Sequence, residues 1–343
     1  MFNKVLAIVA LAGVTHAASA QDSTSTPLTI SGSVDAYYKY DLAKTANIGT
    51  SFATDHNSVS LGMIDVALKK TTGKASFVGE VSFGPRGQYQ SIPTGDSTDA
   101  SNSFHIQNLY ATYAFTDKFS MTAGYMGTFI GYEVISPVGN FNYSTSYLFT
   151  NGPFQNAGIK ANYALSSKIG LMAGLFNDKW NTYTASPLKG VNAFGAQLSL
   201  APIEGWNAYL NVLTGSECGT IFDVTTAYQV TDKFKLGLNA ADFEGPEDGG
   251  YTGVALYPQV YLTSGFALGL RGEYFKWKDV GAVEMPSYKA LTVSANLKSG
   301  GLTFIPEFRF DNASVDSFKD KVTSPTLDTK SASQFSFAVV YAF

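Results

Sequence analysis

The chain has a single cysteine, Cys218, three histidines, and charge on only 15% of its 343 residues. One thiol excludes a disulfide framework and a Cys-based metal cluster. His16, His56 and His105 stand in no spacing that pairs a base with a nucleophile or gathers metal ligands, so no catalytic residues, metal or other cofactor are expected. A basic excess is missing too. Lys+Arg is 23 against 27 for Asp+Glu, which leaves no footprint for nucleic acid. Beyond residue 20, no apolar run approaches the roughly 18 residues of a membrane helix.

Aromatics are abundant at 14%, with 20 Tyr and 25 Phe, beside 33 Gly. The first twenty residues, MFNKVLAIVALAGVTHAASA, place Lys4 before an apolar core, Val5 to Val14, and end on Ala18-Ser19-Ala20. That is the layout of a secretory signal peptide cut before Gln21, leaving residues 21–343 as one exported domain with net charge about −5 once Lys4 is gone. An exported, aromatic-rich chain without a membrane helix is either a large soluble β protein or an outer-membrane barrel.

Period-2 alternation decides between them. In LTISGSVDAYYKY, from Leu28 to Tyr40, one parity carries Leu28, Ile30, Gly32, Val34, Ala36, Tyr38 and Tyr40; the other carries Thr29, Ser31, Ser33, Asp35, Tyr37 and Lys39. The same pattern recurs at 62–69, 75–83, 169–175 and 291–297. The alternating runs are joined by short polar connectors: KKTTG at 69–73, TDK at 116–118 and again at 231–233, SSK at 166–168, APIEG at 201–205, TSG at 263–265 and KSGG at 298–301. Between these connectors lie longer segments near 41–57, 84–104, 128–155, 178–190, 214–219, 243–250, 278–286 and 311–333. Strict alternation of short turns with longer loops is the signature of an antiparallel transmembrane β-barrel with short periplasmic turns and longer outer loops. Counting runs gives about 16 strands, within 14 to 18, and an even count puts both ends on the periplasmic side. Phe115, Phe119, Phe234, Phe266 and Trp206 beside the turns suit an interfacial aromatic girdle. The last strand, QFSFAVVYAF, ends with Tyr341 and Phe343 on the greasy parity, like the C-terminal signal read by barrel-insertion machinery.

Strand number then points to function, because a barrel of 16 to 18 strands encloses an aqueous channel. Asp35, Lys39, Asp65, Glu80, Lys160, Asp223, Lys235, Arg271, Glu273, Glu307 and Arg309 all fall on the polar parity, expected to line a pore. Their signs nearly balance, which leaves ion selectivity open. Arg271 with Glu273, and Glu307 with Arg309, lie two apart on one strand, where each pair can either set up a field across the pore or pair internally. Pro258 and Pro306 interrupt two strand patterns and are expected to mark bulges or misplaced strands.

The longest interruption, 128–155, is rich in aromatics and Asn. It holds Gly131-Tyr132-Glu133, Asn140-Phe141-Asn142-Tyr143-Ser144, Leu148-Phe149 and Gly152-Pro153-Phe154, and closes on Ala157-Gly158. With Gln107-Asn108-Leu109-Tyr110 nearby, these motifs resemble the OmpL-like β-barrel porins of Gram-negative bacteria; Thr145 departs from the basic residue that often follows the family's NYS group. The resemblance implies an outer-membrane pore for the passive diffusion of small hydrophilic solutes or ions, in contact with outer-membrane lipid. In some 16-stranded porins the third loop narrows the channel, so Tyr132, Glu133, Asn140, Asn142 and Tyr143 are expected to contribute to a constriction. The competing reading is a non-conducting barrel acting as an adhesin or surface-binding protein through its outer loops; an outer-membrane enzyme is the third.

Overall fold

Alternation of this kind resolves into a wall with two unlike faces. In the computed structural model, which describes residues 25–84, 86 and 104–343, sixteen strands form one closed antiparallel barrel. They are β1 (Thr29–Asp41), β2 (Ser58–Thr72), β3 (Ala75–Phe83), β4 (Phe104–Ala114), β5 (Phe119–Gly127), β6 (Gln155–Ala164), β7 (Ile169–Asn177), β8 (Val191–Leu200), β9 (Trp206–Gly215), β10 (Gly219–Thr231), β11 (Phe234–Glu244), β12 (Gly250–Thr263), β13 (Phe266–Trp277), β14 (Ser287–Ser299), β15 (Leu302–Ala313) and β16 (Ser331–Ala342). Each pairs with its sequence neighbour, and β16 returns to pair with β1, so the sheet has no free edge. The leader expected at 1–20 lies outside the described residues, as does most of the second outer loop.

The greasy parity faces out. Ile30, Val34, Leu171, Leu175, Leu291 and Leu297 are exposed on the outer wall, while Ser33, Asp35, Tyr37 and Lys39 are buried inside. A soluble sandwich would hide the first set and wet the second; only surrounding hydrocarbon makes this arrangement stable. Leu270, exposed at mid-strand on β13, tests it: Leu270→Lys should cost about 2–4 kcal/mol of folding free energy in lipid vesicles. A cost near zero in reversible unfolding would mean that this face does not meet lipid.

The turns show why Thr or Ser recurs at their starts. Thr116 Oγ1 accepts from the amides of Lys118 and Phe119 at 3.2 and 3.0 Å, and Thr231 Oγ1 accepts from Lys233 and Phe234 at 3.2 and 3.1 Å. Ser166 and Thr263 make the corresponding bond to Lys168 and Gly265. The repeated Thr-Asp-Lys-Phe is thus one side-chain-capped turn used twice. KKTTG departs from its expectation, for β2 continues to Thr72 and only Gly73 and Lys74 turn, with Gly73 at φ +56°. The residue without a β-carbon supplies the left-handed step at no steric cost, so the hairpin needs no longer connector.

Neither proline marks a bulge or a misplaced strand. β12 and β13 pair in the same register on both sides of Pro258, from Leu256↔Gly272 to Gln259↔Gly269, and β14 and β15 do so across Pro306. The missing N–H leaves a short gap in one ladder, and continued pairing with the neighbour on the other side holds each strand straight.

Candidate functional site

The third outer loop, 128–154, does not stand on the rim. Its neck is closed by the Thr128 amide donating to the Phe154 carbonyl at 2.9 Å, and the chain between turns into the barrel. Inward-facing glycines make room for it. A β-carbon on Gly195 would stand 2.5 Å from the Phe129 ring, one on Gly237 2.3 Å from the Tyr132 hydroxyl, and one on Gly269 2.3 Å from the Phe141 ring. Tyr132 also stacks on Tyr257, with ring centroids 4.4 Å apart. Glycine inside a strand normally weakens it; here each seats a loop ring against the wall.

A buried loop must have its backbone polar groups paired, and the wall supplies the partners as charged side chains. Glu307 on β15 accepts from the amides of Tyr143 and Ser144 at 2.8 and 3.0 Å. Glu133, on the loop itself, accepts from Ser146 at 2.7 Å, and Glu273 on β13 accepts from Tyr147 at 2.9 Å. Arg271 donates to the carbonyls of Ser144 and Thr145, and Arg309 donates to Thr145 at 2.7 Å. Ser146 then caps a helical turn over Tyr147–Asn151 by accepting from the Phe149 amide. Ser144, Thr145 and Ser146 are fully buried as a result.

The charged pairs therefore sort differently from their sequence spacing. Arg271 does pair with Glu273, at 2.6 Å, and also with Glu133 at 2.8 Å. Glu307 and Arg309 do not pair with each other: Glu307 is committed to loop amides, and Arg309 bonds Asp311 at 2.8 Å. Spacing of two puts side chains on one face but cannot choose among partners once a loop enters the space between them.

The loop residues expected to face a narrowed opening mostly face the wall. Asn142 donates to Ser294 at 2.7 Å; the Tyr143 hydroxyl donates to Asp35 at 2.6 Å with its ring fully buried; Asn140 folds back on Val134 through both amide atoms. Glu133 lies buried between Arg271 and the Ser146 amide. Burial pushes its carboxyl above the ordinary range, for it shares one guanidinium with Glu273 in a dry site. Tyr132 and Asn140 are the half-buried two of the five, and the Tyr132 ring lies on the wall against Tyr257 and Gly237. Asp65 accepts from the Ser33 hydroxyl and Glu80 from the Asn108 amide at 2.6 Å, both partners being on the wall. Tyr341 and Phe343 face outward, and the Phe343 amide donates to the Gly32 carbonyl where the barrel closes.

Three anchors were not legible as site residues. Arg86 is buried with its guanidinium 4.6 Å from the Tyr143 ring and 4.9 Å from Phe52, and 3.4 Å from Asp35, tying the second loop to the third and the first. Asp311 accepts from the Tyr147 hydroxyl at 2.6 Å as well as from Arg309. Asp223, assigned only to the lining, receives the Gly131 amide at 3.0 Å at the loop's entry. The inward parity of Asp311, next in line after Glu307 and Arg309, was the available signal; Arg86 had none, because it belongs to a loop.

The His56 ring nitrogen Nδ1 accepts from the Asp41 amide at 3.0 Å, and His105 is buried on the inner wall. Among the described residues no group of His, Cys, Asp and Glu is placed to hold a metal ion.

The family described as "Putative beta-barrel porin-2, OmpL-like" matches residues 27–343. The curated proteins contain no match. Among solved structures the fold is similar to that of OmpTdeltaL8, an outer membrane protein of Vibrio cholerae, at TM-score 0.61 and 11% identity, covering 93% of this chain and 99% of that one. It is similar to an anion-selective porin from Comamonas acidovorans at TM-score 0.59 and 13% identity, covering 93% and 100%. OmpF of Salmonella typhi, solved in complex with daunomycin, gives TM-score 0.61 and 10% identity, covering 92% and 97%.

Proposed function

The chain belongs to the OmpL-like β-barrel porin family, and on that footing we propose that it forms an outer-membrane channel for passive diffusion of small hydrophilic solutes or ions. The observation that carries this is a closed barrel of sixteen strands with a polar inner wall only partly covered by the loop. Among the described residues, hydrogen bonds from the loop's interior reach β1, β10, β13, β14 and β15. On the opposite arc, Glu80, Tyr110, Thr112, Lys160 and Asn162 on β3, β4 and β6 stay half-buried and turned inward. That arc is the proposed path, with the loop as its fixed inner bank. Residues 1–20 act as the export leader in this reading, and Tyr341 and Phe343 as the segment that the insertion machinery recognises.

Reconstitution into planar bilayers tests it: single-channel conductance steps in KCl are expected from the folded barrel. Dense packing of Tyr143 to Ser146 in the lumen favours the other reading, a surface-binding barrel. A folded barrel that passes no current would leave that one standing.

A further inference from the structure

Which ion passes more easily was undecided while charges were only counted. The structure separates lumen charges that are already engaged from those that are not. Among the described residues of the inner wall, each carboxylate has a donor or counter-ion. Glu133 and Glu273 share Arg271, Asp311 holds Arg309, Asp35 faces Arg86 and Asp41 faces Lys39. Glu307 and Asp223 take loop amides; Asp65 and Glu80 take Ser33 and Asn108. Arg271 and Arg309 are buried to zero exposure, so no solute reaches them.

Lys160 and Lys235 differ. Lys160 faces inward on β6, on the open arc, between Thr122 and Gly174; Lys235 faces inward at the turn end of β11, between Gln229 and Gln259 and short of Gly237 where the loop ring Tyr132 meets the strand. Both are half-buried, and neither has an ion pair or hydrogen bond to a described residue. Their cross-strand neighbours carry no charge to offset them. Glu80, among the described residues the one half-buried carboxylate on the open arc, has Lys69 on the adjoining strand as a nearby opposite charge.

We infer that Lys160 and Lys235 bias the channel toward anions, and that the solutes it passes best are small carboxylates, phosphates and inorganic anions. The inference rests on the channel reading. A permeating ion is governed most by charge it can approach through water. A carboxylate paired with a guanidinium or ammonium presents a dipole whose field falls off faster than that of a bare ammonium; Asp65, Asp223 and Glu307, which take only neutral donors and keep their charge, are buried, and Glu80 has Lys69 beside it. A free unit charge met at about 4 Å in water changes local anion occupancy about fivefold.

Reversal potentials across a KCl gradient decide the matter. Wild-type channels should give a chloride-to-potassium permeability ratio above one, falling toward or below one as salt approaches about 1 M and screening shortens to about 3 Å. The double variant Lys160→Met, Lys235→Met should lower the low-salt ratio about fivefold. Lys160→Arg with Lys235→Arg should keep it, which a merely structural role for the lysine stems would not require. Potassium preference in the wild type, or a ratio unmoved in the methionine variant, overturns the inference and leaves the channel intact. No current from the folded wild type overturns the channel reading and the inference with it.

Discussion

Arg271→Met should destabilise the folded barrel by about 3–5 kcal/mol, because it leaves buried Glu133 without a counter-ion and buried Glu273 with only Arg309, 3.9 Å away. Glu133 and Glu273 both lean on this guanidinium, at 2.8 and 2.6 Å, and the carbonyls of Ser144 and Thr145 lose donors with it. Arg271→Lys keeps the charge but cannot serve four acceptors in a plane, so it should recover only part of the loss. Unfolding in urea from lipid vesicles measures both, and a methionine variant within about 1 kcal/mol of wild type would show that the cluster is not tightly coupled. The sign of a pH effect follows from Glu133. Its carboxyl titrates higher folded than unfolded, so this group favours folding at low pH, and its contribution is lost as pH rises through the folded-state value.

Glu307→Ala should have the second large effect, and on conductance as well as stability. Three donors converge on that carboxylate: the amides of Tyr143 and Ser144 and the Ser294 hydroxyl, which itself accepts from Asn142. Each buried donor left without a partner costs about 1–3 kcal/mol. The cheapest relief is for the segment from Asn142 to Tyr147 to lift from the β14 and β15 wall, where water can reach its amides. Single-channel records should then show larger and noisier steps than wild type, with a lower unfolding midpoint. Wild-type steps from a destabilised barrel would place the loop outside the conducting path; unchanged stability would mean that the amides find other partners in place.

Much of this was readable from residues because hydrocarbon outside and water inside enforce a period of two on every strand. Asp35, Glu80, Lys160 and Arg309 could be turned inward without coordinates, since any other facing would put charge in lipid. Gly195, Gly237 and Gly269 carried a subtler message on the inward parity, a demand for close approach, but nothing said which ring would arrive. Loop conformation was beyond reach: the segment from Thr128 to Phe154 has no period, and its partners lie up to 164 residues away in sequence, as with Tyr143 and Glu307.

By itself, then, the amino-acid sequence determined the barrel, its strand order and the face each side chain presents, because those follow from local alternation and from turns capped by Thr, Ser and Gly. Tertiary structure alone decided that the loop lies inside the barrel, that Glu307 serves backbone amides rather than Arg309, and that Lys160 and Lys235 are left without partners among the described residues. Pairing inside a closed wall is a competition among distant groups for the same donors and acceptors, and only their positions in space determine its outcome.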